Sequence, residues 1–191
     1  MNNNKTFLII FCIFLPIFIT LFSFKTTLFF IDGTPQQENT IDFLTDNTEL
    51  TQEYTDNELI HLRDVQRVMN YSTIWVYFSV LILTGIITLY RKETKQIQKL
   101  LKYGGITTLA YIGTVSLVSI LSFDTIFTLF HKIFFPQGNW QFPLDSILIS
   151  TFPYNFFIFI TIKIGIQALC WGILFIFLSF YINYGTQSTK H

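Results

Sequence analysis

Four long, nearly uncharged apolar runs alternate along the chain with polar segments. They cover residues 6–24, 72–90, 103–123 and 146–184, the last interrupted only by Lys163. A hydrocarbon core ~30 Å thick needs about 20 residues of helix to cross it, so each run predicts a membrane-spanning helix. The expected architecture is an all-α integral membrane protein, one domain over residues 1–191. Its spans are placed at about 6–31, 72–90, 103–123 and 153–184, separated by segments 32–71, 91–102 and 124–152. Pro16 falls inside the first span, where a lipid-embedded helix tolerates it if a neighbour satisfies the carbonyl it frees.

Composition strengthens this picture. Of the 191 residues 51% are hydrophobic and 23 are Phe, a membrane-type composition. The formal net charge of zero conceals a segregation. Segment 91–102 carries Arg91, Lys92, Lys95, Lys99 and Lys102 against Glu93, Lys5 precedes the first span and Lys190 follows the last. Segment 32–71 is acidic from Asp32 to Asp64, and 124–152 has Lys132 as its one basic residue apart from His131. Because cytoplasmic loops are enriched in Lys and Arg, both termini are expected in the cytoplasm and segments 32–71 and 124–152 outside. The weakly charged start and the lack of a small-x-small cleavage site favour a retained first helix over a cleaved signal peptide. Cys12 and Cys170 both fall in spans, which excludes a disulfide framework in the outer segments.

The acidic stretch 33–52 is polar and turn-rich, with an apolar patch at Ile41, Phe43 and Leu44. It reads equally well as a membrane-surface segment or a flexible acidic loop. From Thr55 the pattern changes: Thr55-x-x-Glu58 has capping-box spacing, and Leu59, Ile60, Leu62, Val65 and Val68 follow at helical intervals. A helix is predicted there, with Glu58, His61, Asp64 and Arg67 along one stripe. Capping alone accounts for Glu58.

Segment 124–152 is too apolar for a water-exposed loop. Phe134, Phe135, Trp140 and Phe142 suit a membrane interface, and Pro136-Gln137-Gly138-Asn139 signals a turn. His131 sits among these apolar residues and needs a partner or a cavity; by topology His61 shares its side of the membrane. Lys163, about ten residues past Pro153, is an ionisable residue in a span, which either faces a cavity or snorkels to the interface.

Two signatures carry a resemblance. One is Glu-Leu-x-His-Leu-x-Asp-Val over 58–65. The other is Phe-His-x-x-Phe-Phe-x4-Trp-x-Phe over 130–142, followed by Asp145 and Phe-Pro-x-x-Phe-Phe over 152–157. From about Thr55 onward the chain resembles the lipoprotein intramolecular transacylase family (Lit). Tyr154 stands where an acidic residue often follows the proline. The resemblance implies a bacterial acyltransferase on the outer face of the cytoplasmic membrane, acting on diacylglyceryl-modified lipoproteins among membrane phospholipid. The expected reaction moves the sn-2 acyl chain to the α-amine of the same N-terminal cysteine, giving the lyso-form.

The residues suit that chemistry. An intramolecular acyl transfer needs no enzyme nucleophile, and the chain offers no G-x-S-x-G motif and no outer cysteine. An α-ammonium with a pKa near 8 must lose a proton, and imidazole is a suitable base. The expected catalytic residues are His131 as the base and His61 as donor to the oxyanion or as the group that orients the glyceryl moiety, with exchange of the two histidine roles also open. Asp64 would fix one imidazole's tautomer, Lys163 is an alternative oxyanion donor, and Glu58 and Trp140 are supporting residues. No cofactor is expected. A zinc site is disfavoured for want of His-Glu-x-x-His or similar spacing. Nucleic-acid binding is disfavoured because topology explains the one basic cluster, and transport because paired broken helices are lacking. The rival function is a non-catalytic lipid- or lipoprotein-binding membrane protein.

Overall fold

The computed structural model describes residues 3–46 and 48–188; Lys190, used above as a topological marker, lies outside the described residues. All the described secondary structure is helical: α1 (Asn3–Phe29), α2 (Pro35–Asp46), α3 (Asp56–Leu89), α4 (Thr94–Leu121), α5 (Phe123–Phe134), α6 (Ile147–Thr151) and α7 (Tyr154–Ser188). The long helices α1, α3, α4 and α7 are each long and apolar enough to cross a membrane. Their outward faces expose Ile13, Leu81, Leu117, Ile173 and Phe177, a distribution that water penalises and lipid accommodates. In α3 the charged residues stop at Arg67, so its first three turns lie outside the apolar crossing stretch.

Two stacked cores hold the molecule. Within the bundle, Phe11, Leu15 and Ile19 of α1 pack with Leu83 and Ile86 of α3, Leu100 and Ile112 of α4, and Ala168 of α7. The backbones approach closely at small residues. A methyl on Gly105 of α4 would sit 2.8 Å from the Gly172 carbonyl oxygen of α7, and one on Gly104 would sit 2.7 Å from Leu15. Such contacts suit lipid, where packing rather than hydrophobic exclusion drives helix association. Pro16 leaves the Cys12 carbonyl without its intrahelical donor, and the Thr107 hydroxyl of α4 shares its proton between that oxygen at 3.2 Å and the Gly104 carbonyl of its own helix at 3.0 Å.

The second core caps one end of the bundle, where α1 and α4 finish and α3 and α7 begin. Leu28, Ile41, Leu44, Tyr54, Leu62, Leu148, Phe152 and Ile160 form it. The acidic stretch is thus folded into this cap. Its α2 buries Ile41 and Leu44, Thr40 hydrogen-bonds the Tyr54 hydroxyl at 2.8 Å, and Gln37 donates to the Thr151 carbonyl at 2.8 Å. The apolar segment after α4 is also mostly helical. The chain breaks at Ser122 (φ −158°, ψ 79°) and restarts as α5, whose buried residue is His131 while Leu129, Ile133 and Phe134 stay exposed. At the opposite end, Tyr90 and Gln96 hydrogen-bond Asn4, so the start of α1 lies beside the basic α3–α4 connection.

Candidate active site

The site grows from the first three turns of α3. Thr55 caps the helix in a complete capping box, its hydroxyl accepting from the Glu58 amide while its own amide donates to Glu58 Oε2 at 2.8 Å. The other oxygen of Glu58 accepts from the Leu148 amide of α6 at 2.8 Å. Glu58 is thereby a buried strut between α3 and α6, its carboxylate engaged by Thr55 and Leu148.

One turn on stands His61, and one turn further Asp64. Asp64 accepts from Arg67 on Oδ1, and from both the Gln137 and Asn139 side-chain amides on Oδ2, each at 2.7 Å. Three donors outweigh the effect of burial, which would raise the Asp64 pKa, and hold its carboxyl below the usual range. They also pin the turn after α5, which Gly138 makes possible by adopting φ 81°.

His131 closes the arrangement from α5. Its Nδ1 lies 2.7 Å from the Phe127 carbonyl oxygen one turn back. A carbonyl only accepts, so Nδ1 carries the proton and Nε2 of the neutral ring holds the free lone pair. The imidazoles of His61 and His131 lie nearly parallel, 23° between planes and 6.3 Å between centroids. Phe135 packs on both, at 4.8 Å from His61 and 5.6 Å from His131. Phe127 and Trp140 wall His131 at 4.1 and 4.9 Å, and Phe142 walls His61 at 5.5 Å.

This apolar casing disfavours charge. Burial pushes the His61 pKa down to about 4, helped by the neighbouring His131 and opposed by Asp64 and Asn139. Burial also lowers that of His131, opposed by the Phe127 carbonyl. Two buried polar atoms, His61 Nδ1 and Asn139 Oδ1, have no hydrogen-bond partner of acceptable geometry. Five other buried side-chain atoms among the described residues are likewise unpaired, so these two represent unspent hydrogen-bonding capacity beside the histidine pair and nothing more specific.

Of the residues singled out from sequence, His61, His131 and Trp140 come together. Asp64 joins the cluster in a different role: its hydrogen bonds go to Arg67, Gln137 and Asn139, and the His131 tautomer is set instead by the Phe127 carbonyl. Lys163 lies apart, its ammonium 4.4 Å from the Phe159 ring centroid in a cleft between α1 and α7. Gln137 and Asn139 escaped sequence reading because their run signalled only a turn. Among the described residues, no three His, Cys, Asp or Glu side chains gather as a metal centre.

A family model for the lipoprotein intramolecular transacylase Lit matches residues 4–157. An uncharacterized protein of Aquifex aeolicus (strain VF5) is 26% identical over 125 residues, covering 65% of this chain and 55% of that protein's length. The membrane integral lipoprotein intramolecular transacylase Lit from Bacillus cereus shares the fold. Its structure aligns with a TM-score of 0.84 at 19% identity, over 97% of this chain and 98% of that one. A variant of the same protein with one histidine replaced by alanine aligns at 0.80 and 18% identity, over 97% and 96% of the two chains. Since the family match runs through both histidine-bearing segments and the fold is shared nearly end to end, the chain belongs to the lipoprotein intramolecular transacylase (Lit) family.

Proposed function

We propose that this protein transfers the sn-2 acyl chain of a diacylglyceryl lipoprotein to the α-amine of the same N-terminal cysteine, at the extracytoplasmic face of the bacterial cytoplasmic membrane. The observation that carries this reading is the pair of stacked, buried imidazoles of His61 and His131 in the capped end of a lipid-facing bundle.

His131 is the base. With Nδ1–H committed to the Phe127 carbonyl, Nε2 accepts a proton from the substrate's α-ammonium. The free amine attacks the ester carbonyl, and negative charge builds on the carbonyl oxygen. His61, neutral and with an unpartnered Nδ1, donates to that oxyanion in its Nδ1–H tautomer. Collapse breaks the bond from the carbonyl carbon to the sn-2 oxygen, which takes the proton held by His131; the attacking nitrogen then gives its second proton to the regenerated Nε2, which passes it to solvent as the product leaves. The products are an amide at the α-nitrogen and a free glyceryl hydroxyl, with no acyl-enzyme. The aromatic walls exclude water, which would otherwise hydrolyse the ester.

The test is mass spectrometry of lipoprotein N-termini from a host lacking other N-acylating enzymes. Expressing this protein should yield N-acyl, S-monoacylglyceryl cysteine, and His131→Ala should abolish it. Persistence of diacylglyceryl cysteine despite good expression would overturn the transacylase reading in favour of a binding role.

A further inference from the structure

We infer that the face of α4 carrying Lys95, Lys99 and Lys102 is a docking surface for anionic phospholipid, in the leaflet opposite the histidine site. The spacing of four and then three residues keeps these side chains within ~60° of one another around the helix, on one stripe. Gln96, Leu100, Gly104 and Thr108 are buried on the opposite side of the same helix. All three lysines are exposed, and Ile106 continues their stripe toward the middle of the bundle at 43% exposure. The stripe thus faces away from the bundle, toward lipid.

Its depth is fixed by two ties to α1, which runs in the same direction as α4. The Gln96 side-chain amide donates to the Asn4 carbonyl at 3.3 Å, and the Thr107 hydroxyl reaches the Cys12 carbonyl at 3.2 Å. At ~1.5 Å of rise per residue, Lys102 stands level with residues 7–10 of α1, which read Phe-Leu-Ile-Ile. Lys99 stands at the edge of that apolar run, and Lys95 beyond it. The stripe therefore straddles the boundary between hydrocarbon and headgroups, the layer that holds lipid phosphates. Beside it lies the exposed ring of Tyr103, its centroid 5.9 Å from the Lys102 ammonium, an aromatic placed as membrane interfaces favour. A soluble partner would reach Lys95 but not a lysine at the apolar level. A lipid phosphate meets all three, Lys102 by extending its stem outward along the helix. Setting the orientation of the chain requires only excess positive charge in the 91–102 connection, not lysines turned to lipid at this depth.

This end of the molecule is nearly without counter-charge. Between Asp64 and Asp124 the sequence has one acidic residue, Glu93, and it has none before Asp32 or after Asp145. The Asn4–Gln96 contact brings the start of α1, with Lys5, to the same level. The one ion pair found among the described residues, Arg67–Asp64, lies at the opposite end. Unneutralised ammonium groups in the headgroup layer favour a lipid with net negative charge over a zwitterionic one, by about fivefold for each lysine engaged.

The surface is independent of the transacylase reading, since it lies at the other end of the bundle from the histidines and an inactive protein would bind equally well. The experiment is native mass spectrometry of the purified full chain in detergent, titrated separately with dioctanoyl phosphatidylglycerol, dioctanoyl phosphatidylcholine and inorganic phosphate. Phosphatidylglycerol should bind more tightly than phosphatidylcholine by about fivefold or more. Combining Lys95→Gln, Lys99→Gln and Lys102→Gln should abolish that preference, and Arg at the same three positions should keep it. Two double variants that remove equal charge separate the stripe from the net charge of the connection. Lys99→Gln with Lys102→Gln should lose most of the preference, whereas Arg91→Gln with Lys92→Gln should retain most of it. Equal binding of the two lipids by the unaltered protein would overturn the inference, as would a persistent preference in the triple Gln variant. Equal losses in the two double variants would assign the effect to net charge and overturn the stripe. Phosphate displacing the lipid at equal concentration would identify a general anion site and also overturn it.

Discussion

The Glu58 carboxylate spans from the first turn of α3 to the Leu148 amide of α6, 2.8 Å away, while its other oxygen accepts from the Thr55 amide and hydroxyl. The two helices it joins form part of the cap around His61, so Glu58 holds up the site's frame. Glu58→Ala would strand three donors in a buried setting. The expected cost is about 3 kcal/mol, the scale of losing hydrogen bonds to a charged group, read as a lower melting temperature in detergent. Unchanged melting combined with lost turnover would assign Glu58 to the chemistry instead.

Thr107 is tied to Pro16 in the same manner, through the Cys12 carbonyl. Thr107→Val should destabilise the bundle by about 1 kcal/mol, because the carbonyl then has neither its intrahelical donor nor a substitute. In the Pro16→Ala background, where Ala restores the backbone N–H, the same change should cost markedly less. A double-mutant cycle on thermal unfolding measures the difference, and additive effects would refute the coupling.

The spans and the need for a donor at Pro16 were legible because apolar run length and proline chemistry are local properties of sequence. So was the start of α3, from Thr55 and Glu58 alone. The identity of that donor, Thr107, was not, because it comes from another helix. The histidine pair was legible as two candidates on one side of the membrane; its geometry depends on Asp64 drawing in Gln137 and Asn139, a contact no spacing rule predicts. Lys163 was legible as an ionisable residue in the outer part of the last span. Its neighbour was not, since the Phe159 ring under its ammonium is set by side-chain packing.

Packing at the α4–α7 seam leaves no room for growth. Gly105→Ala places a methyl 2.8 Å from the Gly172 carbonyl oxygen and 2.7 Å from the Ile176 side chain, so the backbones must part. A loss of roughly 1–3 kcal/mol is expected. Gly113→Ala is the control, since a methyl there meets nothing within 4 Å and should raise helix propensity without strain. Equal melting of the two variants would show that the seam yields.

Acid should weaken both folding and turnover, and at a pH lower than exposed histidines would give. Both imidazoles have folded pKa values below 6.5, with His61 at about 4. Between those values and 6.5 the unfolded chain binds more protons than the folded one, so stability rises with pH across that window. Their contribution is therefore complete above 6.5 and is lost progressively as pH falls toward 4, on the order of 3 kcal/mol for His61. Turnover follows the same sign, because only neutral His131 can accept the substrate's proton. The acid limb of kcat/KM for a diacylated lipopeptide should lie below pH 6.5, and melting temperature should decline over the same range. A limb at 6.5 or above would mean that the imidazoles are solvated in the working enzyme and that the aromatic casing does not exclude water.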